Sequence, residues 1–74
     1  MNAGNYTQKS IEALQNAQTI ARNHQNQMLE PVHLLLALLE QEGGLIPQLL
    51  RKMEVTVESL ESAARGEIKK LPAL

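Results

Sequence analysis

Apolar residues recur at helical spacing through most of the chain, and in one stretch they crowd out nearly everything else. From Glu30 to Gly44 the sequence reads EPVHLLLALLEQEGG, a helix start, a nearly all-apolar helix and a glycine stop in direct succession. Pro31 suits a first helical turn, where its missing N–H is not needed, and Glu30 before it can accept orphan N–H groups and complement the positive end of the dipole. Val32, Leu35, Leu36 and Leu39 fill one face, Leu34, Ala37 and Leu38 the next, and only a narrow polar strip remains near His33 and Glu40. A helix this apolar has to be covered by others. Gly43 and Gly44 allow the left-handed backbone that closes a helix and redirects the chain. The segment reads as a central core helix with Leu35, Leu36 and Leu39 inside.

Three further helices follow from the same periodicity. Residues 1–6 lack a pattern and read as a flexible arm that ends where Thr7 can cap a helix over about 8–24. Stepping about 100° per residue puts Ser10, Ala13, Leu14, Ala17, Ile20, Ala21 and His24 on one face, with alanines small enough for close helix packing. Ile11 falls outside that face, beside Gln15, Gln18 and Arg22 and on the same edge as Thr7. A third helix is expected over about 45–53, with Leu45, Ile46, Leu49, Leu50 and Met53 inward and Pro47 tolerable only in its first turn. Thr56 can cap a fourth, about 57–70, whose stripe is Val57, Leu60, Ala64, Ile68 and Leu71, and Pro72 ends it. Gly66 on its solvent side weakens the last turns by up to about 1 kcal/mol relative to alanine. The fold class predicted is all-α, four helices in one domain, with Leu49, Leu50 and Leu60 joining the three core leucines of helix two.

Composition narrows this further. With 74 residues there is room for one domain, and the only aromatic ring is Tyr6, so the core must be aliphatic. Seven Lys and Arg against eight Asp and Glu leave a net charge of -1 and no basic stripe, which argues against nucleic acid as a partner. There is no cysteine, hence no disulfide or thiolate metal ligand, and the longest apolar run, Leu34 to Leu39, falls far short of the roughly 20 residues needed to cross a bilayer. The expectation is a cytoplasmic protein that does not contact membranes.

The candidate chemistry is thin. His24 and His33 are the only groups suited to acid or base work near neutral pH, and neither has a carboxylate or second ligand at catalytic or metal spacing. Structural or solvent roles are expected for both: His24 near exposed carbonyls at the end of helix one, His33 at the domain surface. Gly43 and Gly44 lack the GxxxxGK[ST] order of a phosphate loop, and Glu40 and Glu42 diverge on a helix. No catalytic residue, metal ligand or cofactor is assigned to this chain.

The order of features carries more than any one of them. TxKSxEALxxAxxxA over Thr7 to Ala21, then EPVHLLLALLEQEGG, a leucine pair at Leu49 and Leu50, and LP at Leu71 and Pro72 together resemble the first repeat of the Clp amino-terminal domain, most nearly that of the ClpB type of ATP-dependent disaggregase. HLLLALLEQEGG from His33 is the specific part. Val32 stands where the family commonly has a polar residue, and Thr56 with Val57 where Asp-Pro is frequent; both departures touch helix starts. The family's domains look like two such repeats about a pseudo-two-fold axis, of which this chain holds one.

The resemblance implies a parent that is a hexameric chaperone, extracting polypeptides from aggregates with the Hsp70 system, whose ATP- and magnesium-binding modules lie outside these 74 residues. It implies for this chain the capture of exposed hydrophobic segments of unfolded or aggregated proteins. Protease-coupled Clp unfoldases share the pattern, and a free-standing helical adaptor or assembly module is the alternative in another class. Capture needs apolar side chains left outside the core, and the edge Thr7, Ile11, Leu14 and Gln18 supplies them as a shallow groove for an extended peptide. A single repeat would also leave apolar surface that a second copy could cover as a two-fold homodimer.

Overall fold

The structure, a computed structural model, describes residues 3–41 and 43–73, with side chains from residue 7 onward. Its four helices are α1 (Ala3–Asn23), α2 (Pro31–Glu40), α3 (Leu45–Lys52) and α4 (Val57–Lys69). Among the described residues no strand occurs, only an isolated antiparallel bridge between Asn26 and Ala73. The all-α reading holds, and α2 to α4 lie within one residue of the expected limits.

The amino-terminal end corrects the expectation. Met1 and Asn2 of the supposed arm lie outside the described residues, but from Ala3 the chain is helical, so Thr7 is an interior residue of α1 and not its cap. A glycine and an asparagine in a helix interior cost only about 1 kcal/mol each, too little to force a start at the first good capping residue. Thr56 does occupy the N-cap position of α4, yet its hydroxyl makes no capping hydrogen bond.

α2 is the hub. α1 and α4 both pack along it, α3 touches it and α4 lightly, and α1 makes no close backbone approach to α3 or α4. Ala13, Ala17 and Ala21, one helical turn apart, form the buried seam of α1, with the buried Ala37 of α2 keeping the contact close. On the α4 side, Leu36, Ala64 and Ile68 form the core cluster, and Ile20 and Val32 pack against it. Val57 and Pro47 complete the buried apolar set towards α3.

Three of the six expected core leucines are not in the core. Leu36 and Leu39 are buried and Leu50 is half-buried, but Leu35 is 46% exposed, with Leu49 and Leu60 similarly open. The cause is a shortage of partners. The domain measures 42 × 28 × 14 Å, and burying a helix on all sides takes neighbours about 8–10 Å away on both faces, which so thin a body cannot hold. Periodicity reports which faces are apolar, and α2 has more apolar faces than neighbours.

The glycine stop works through two different constraints. Gly43 adopts φ +70, the left-handed conformation open to glycine at no steric cost, while at Gly44 a side chain would be crowded. A Cβ on Gly44 would lie 3.1 Å from the Gln41 carbonyl oxygen and 3.2 Å from the Gln41 Cβ. Gln41 is held in turn, its side-chain amide donating to the Lys9 carbonyl at 2.8 Å. The other two exits use non-glycine residues in the same conformation, Gln25 (φ 57) and Glu54 (φ 59). Each closes a Schellman motif: Asn26 N–H bonds the Ala21 carbonyl and Gln25 N–H the Arg22 carbonyl, as Val55 bonds Leu50 and Glu54 bonds Arg51.

Candidate functional site

The edge Thr7, Ile11, Leu14 and Gln18 is exposed along its whole length, with Ile11 at 52% and Leu14 at 45%. Its place in the fold follows from what flanks it. Ile20 marks the flank of α1 that turns towards α4, and Leu14, Gln18 and Ile11 lie on the opposite flank of the alanine seam. On α2, Val32 and Leu36 turn towards α4, and the exposed Leu34 and half-buried Leu38 lie on the opposite flank of His33 and Ala37. α1 and α2 run antiparallel, pinned at one end by the Gln41–Lys9 bond and at the other by the Asn26–His33 bond. That register sets Leu38 level with Ile11 and Leu14, and Leu34 level with the span from Leu14 to Gln18. Thr7 falls about one turn beyond the end of α2. The result is a two-helix apolar surface on the side away from α4, with Leu34 and Leu38 added to the residues expected from sequence.

Thr7 and Gln18 border these apolar residues on α1, and the exposed Arg22 follows one turn beyond Gln18. A cleft of about 580 Å³ between the glycine turn, α3 and α4 has a different character. Leu39, Pro47 and Val57 line it, but so do Arg51, Glu58 and Glu61. Arg65 bridges the neighbouring Glu40 at 2.6 Å and Glu61 at 3.3 Å. Glu42 lies outside the described residues, so its geometry relative to Glu40 is not part of this picture.

The two histidines divide. His24 behaves as expected at the end of α1, donating from Nδ1 to the Ile20 carbonyl at 3.0 Å. His33, expected at the surface, is 0% exposed and is the one buried polar residue among the described residues. Glu30 N–H donates to its Nδ1 at 2.8 Å, which leaves the ring proton on Nε2, donated to Asn26 Oδ1 at 2.8 Å. The amide of Asn26 then donates to the Pro72 carbonyl at 3.1 Å. His33 thus takes the N3 position of a capping-box arrangement, returning a hydrogen bond to the N-cap backbone where Glu or Gln is usual. Position was the available signal: a side-chain acceptor three residues after the N-cap. Among the described residues no buried side-chain nitrogen or oxygen lacks a partner, and no cluster of three metal-ligating side chains occurs. No helix is long and apolar enough to cross a membrane.

The family model described as the Clp repeat (R) N-terminal domain matches residues 5–74. The chain is 42% identical over 74 residues to the chaperone protein ClpB of Bacillus cereus, covering 100% of this chain and 8% of that protein. It is 44% identical over 72 residues to the ClpB of Porphyromonas gingivalis, covering 97% of this chain and again 8% of the relative. With the ClpB of Nitratidesulfovibrio vulgaris it shares 40% identity over 74 residues.

Proposed function

This chain belongs to the family of Clp repeat (R) N-terminal domains, and from that premise we propose that it is the client-binding module of an ATP-dependent, protein-disaggregating chaperone. It captures hydrophobic segments of unfolded or aggregated polypeptides on the α1–α2 surface formed by Ile11, Leu14, Leu34 and Leu38, with Thr7 and Gln18 at its margin. The chain spans about 8% of the length of the curated relatives it matches, so ATP hydrolysis, hexamer formation and cooperation with the Hsp70 system belong to the proposed parent and not to these residues.

The observation that carries the reading is the exposure of apolar side chains on one side of the α1–α2 pair. Isolated exposed leucines are ordinary, but here the exposed Ile11, Leu14 and Leu34 and the half-buried Leu38 fall on the same side of two paired helices. Such a surface binds weakly and with little sequence preference, since apolar contact is non-directional and the groove is shallow. Weak, tolerant capture is what a module presenting many different segments to a processing machine needs.

The test is amide chemical-shift mapping while titrating reduced, carboxymethylated lactalbumin into the labelled chain. Shifts are expected at Ile11, Leu14, Gln18, Leu34 and Leu38, and Ile11→Ser should weaken binding at least about threefold while leaving the fold intact, since the residue is on the surface. Shifts confined to α3 and α4 would place capture at the charged cleft and overturn this assignment.

A further inference from the structure

We infer that α3 is a lid: it undocks as a unit from a frame made by α1, α2 and α4, and in doing so uncovers Leu39 and Val57, the buried apolar residues of the cleft beside it.

The frame holds without α3. The core cluster of Leu36, Ala64 and Ile68, with Ile20 and Val32 packed against it, draws on α1, α2 and α4 and takes no residue from α3. Arg65 of α4 reaches Glu40 of α2 at 2.6 Å, and the Gln41 amide donates to the Lys9 carbonyl of α1 at 2.8 Å. The tail beyond α4 is fastened at Asn26. Each of these ties passes α3 by.

α3 itself is held by little. With eight residues it is too short to be a stable helix alone, so its structure depends on docking. It touches only α2 and α4, and more sparsely than α1 or α4 touches α2. Pro47 is its buried residue and Ile46 and Leu50 are half-buried, while Leu45 and Leu49, with Met53 at the C-cap, are open to solvent. Arg51 shares the cleft with Glu58 and Glu61 yet forms an ion pair with neither. Segments with so few buried contacts open at free energies well below that of global unfolding.

Both ends of α3 can turn. Gly43, in the left-handed conformation, and Gly44 precede it, and Glu54, left-handed at φ 59, follows it. A hinge needs only a few such residues, at the margins of an element, to absorb the change in φ and ψ.

The surface uncovered is apolar. Leu39 is 3% exposed and Val57 7%; both line the cleft with Pro47, and neither belongs to the core cluster. With α3 away, the mixed-charge cleft becomes an apolar trough on α2 and α4 that is closed at rest. An apolar segment entering it has to displace α3, so its affinity is reduced by the fraction of chains that are open.

The chain has no cysteine, so a single introduced thiol reports its own exposure. The experiment is iodoacetamide labelling of Leu39→Cys, Val57→Cys and Ala64→Cys under native conditions, with each variant's fold checked by circular dichroism and its rate corrected for its urea stability. Amide exchange of the unaltered chain in rising, sub-denaturing urea runs beside it and decides the matter where a variant fails to fold. Expected is one common labelling rate at Leu39→Cys and Val57→Cys, at least about tenfold above that of Ala64→Cys. The amides of Met53, Glu54 and Val55, which bond α3 carbonyls, should exchange through one shared, urea-dependent opening, faster than those of Leu36 and Ile68 by the same order. Equal labelling of all three thiols, or α3 exchange that follows global unfolding, overturns the lid. Fast labelling of Val57→Cys alone means fraying of the first turn of α4, and exchange without urea dependence means fraying of α3 turn by turn; either overturns the concerted opening. None of these outcomes bears on capture at the α1–α2 surface.

Discussion

The two flanks of α2 have almost the same composition and opposite fates. Leu36, 2% exposed, sits in the cluster with Ala64 and Ile68; Leu35, its immediate neighbour, is nearly half open to solvent. Both are leucines in the middle of one helix, and nothing in the residues themselves separates them. The difference is made by which flank α4 reaches. One flank of α2 therefore holds the fold, and the other is open to solvent.

The comparison breaks most visibly on truncation. Leu36→Ala should destabilise by about 2–5 kcal/mol, through lost burial and a cavity under α4, and Leu35→Ala by less than about 1 kcal/mol. In a chain of this length each kcal/mol corresponds to about 4–8 °C, so thermal unfolding followed by circular dichroism resolves the pair. Equal losses would mean that Leu35 is enclosed after all.

A smaller effect is expected where a polar group is buried on the packed side. His33→Leu removes the acceptor of Glu30 N–H and the donor to Asn26; both bonds are only part-buried, so the two losses together should cost about 1–3 kcal/mol. Faster hydrogen exchange at Leu71 and Ala73 should accompany the loss, because Asn26 would no longer be held to receive the tail. A loss of stability with unchanged tail exchange would sever the two observations.

The smallest change sharpens the contrast by acting on neither flank. Gln25→Gly and Glu54→Gly relieve left-handed backbone at the ends of α1 and α3, and each should raise stability by about 0.5–1 kcal/mol without altering lactalbumin binding. Urea midpoints for the two variants check the first part and the titration the second.

The sequence made the punctuation of the fold readable and left its enclosure unreadable. Pro31, Pro47, Gly43 and Pro72 act within a few residues of themselves, so the limits of α2, α3 and α4 follow from local chemistry. Whether an apolar face is covered depends on residues far away in the chain, which is why Leu35, Leu49 and Leu60 were expected inside and lie outside. The start of α1 escaped for the converse reason: Thr7 is a good cap, but a cap is an option that a helix can run past. The exposed edge of α1 was legible because Ile11 breaks the pattern of its own helix, whereas Leu34 and Leu38 follow theirs. The capping role of His33 is within local reach, three residues after Glu30, but its burial is not, because its other partner Asn26 bonds the Pro72 carbonyl 46 residues away.

That Asn26–Pro72 contact has a mechanical side. The bridge at Ala73 and the side-chain bond to Pro72 fasten the tail beyond α4 to the junction of α1 and α2. A pull applied along the chain at Ala73 is therefore borne first by this strap at Asn26, not by the last turn of α4. The strap acts as a strain relief: it can open and re-form under small loads while the helices behind it keep their packing.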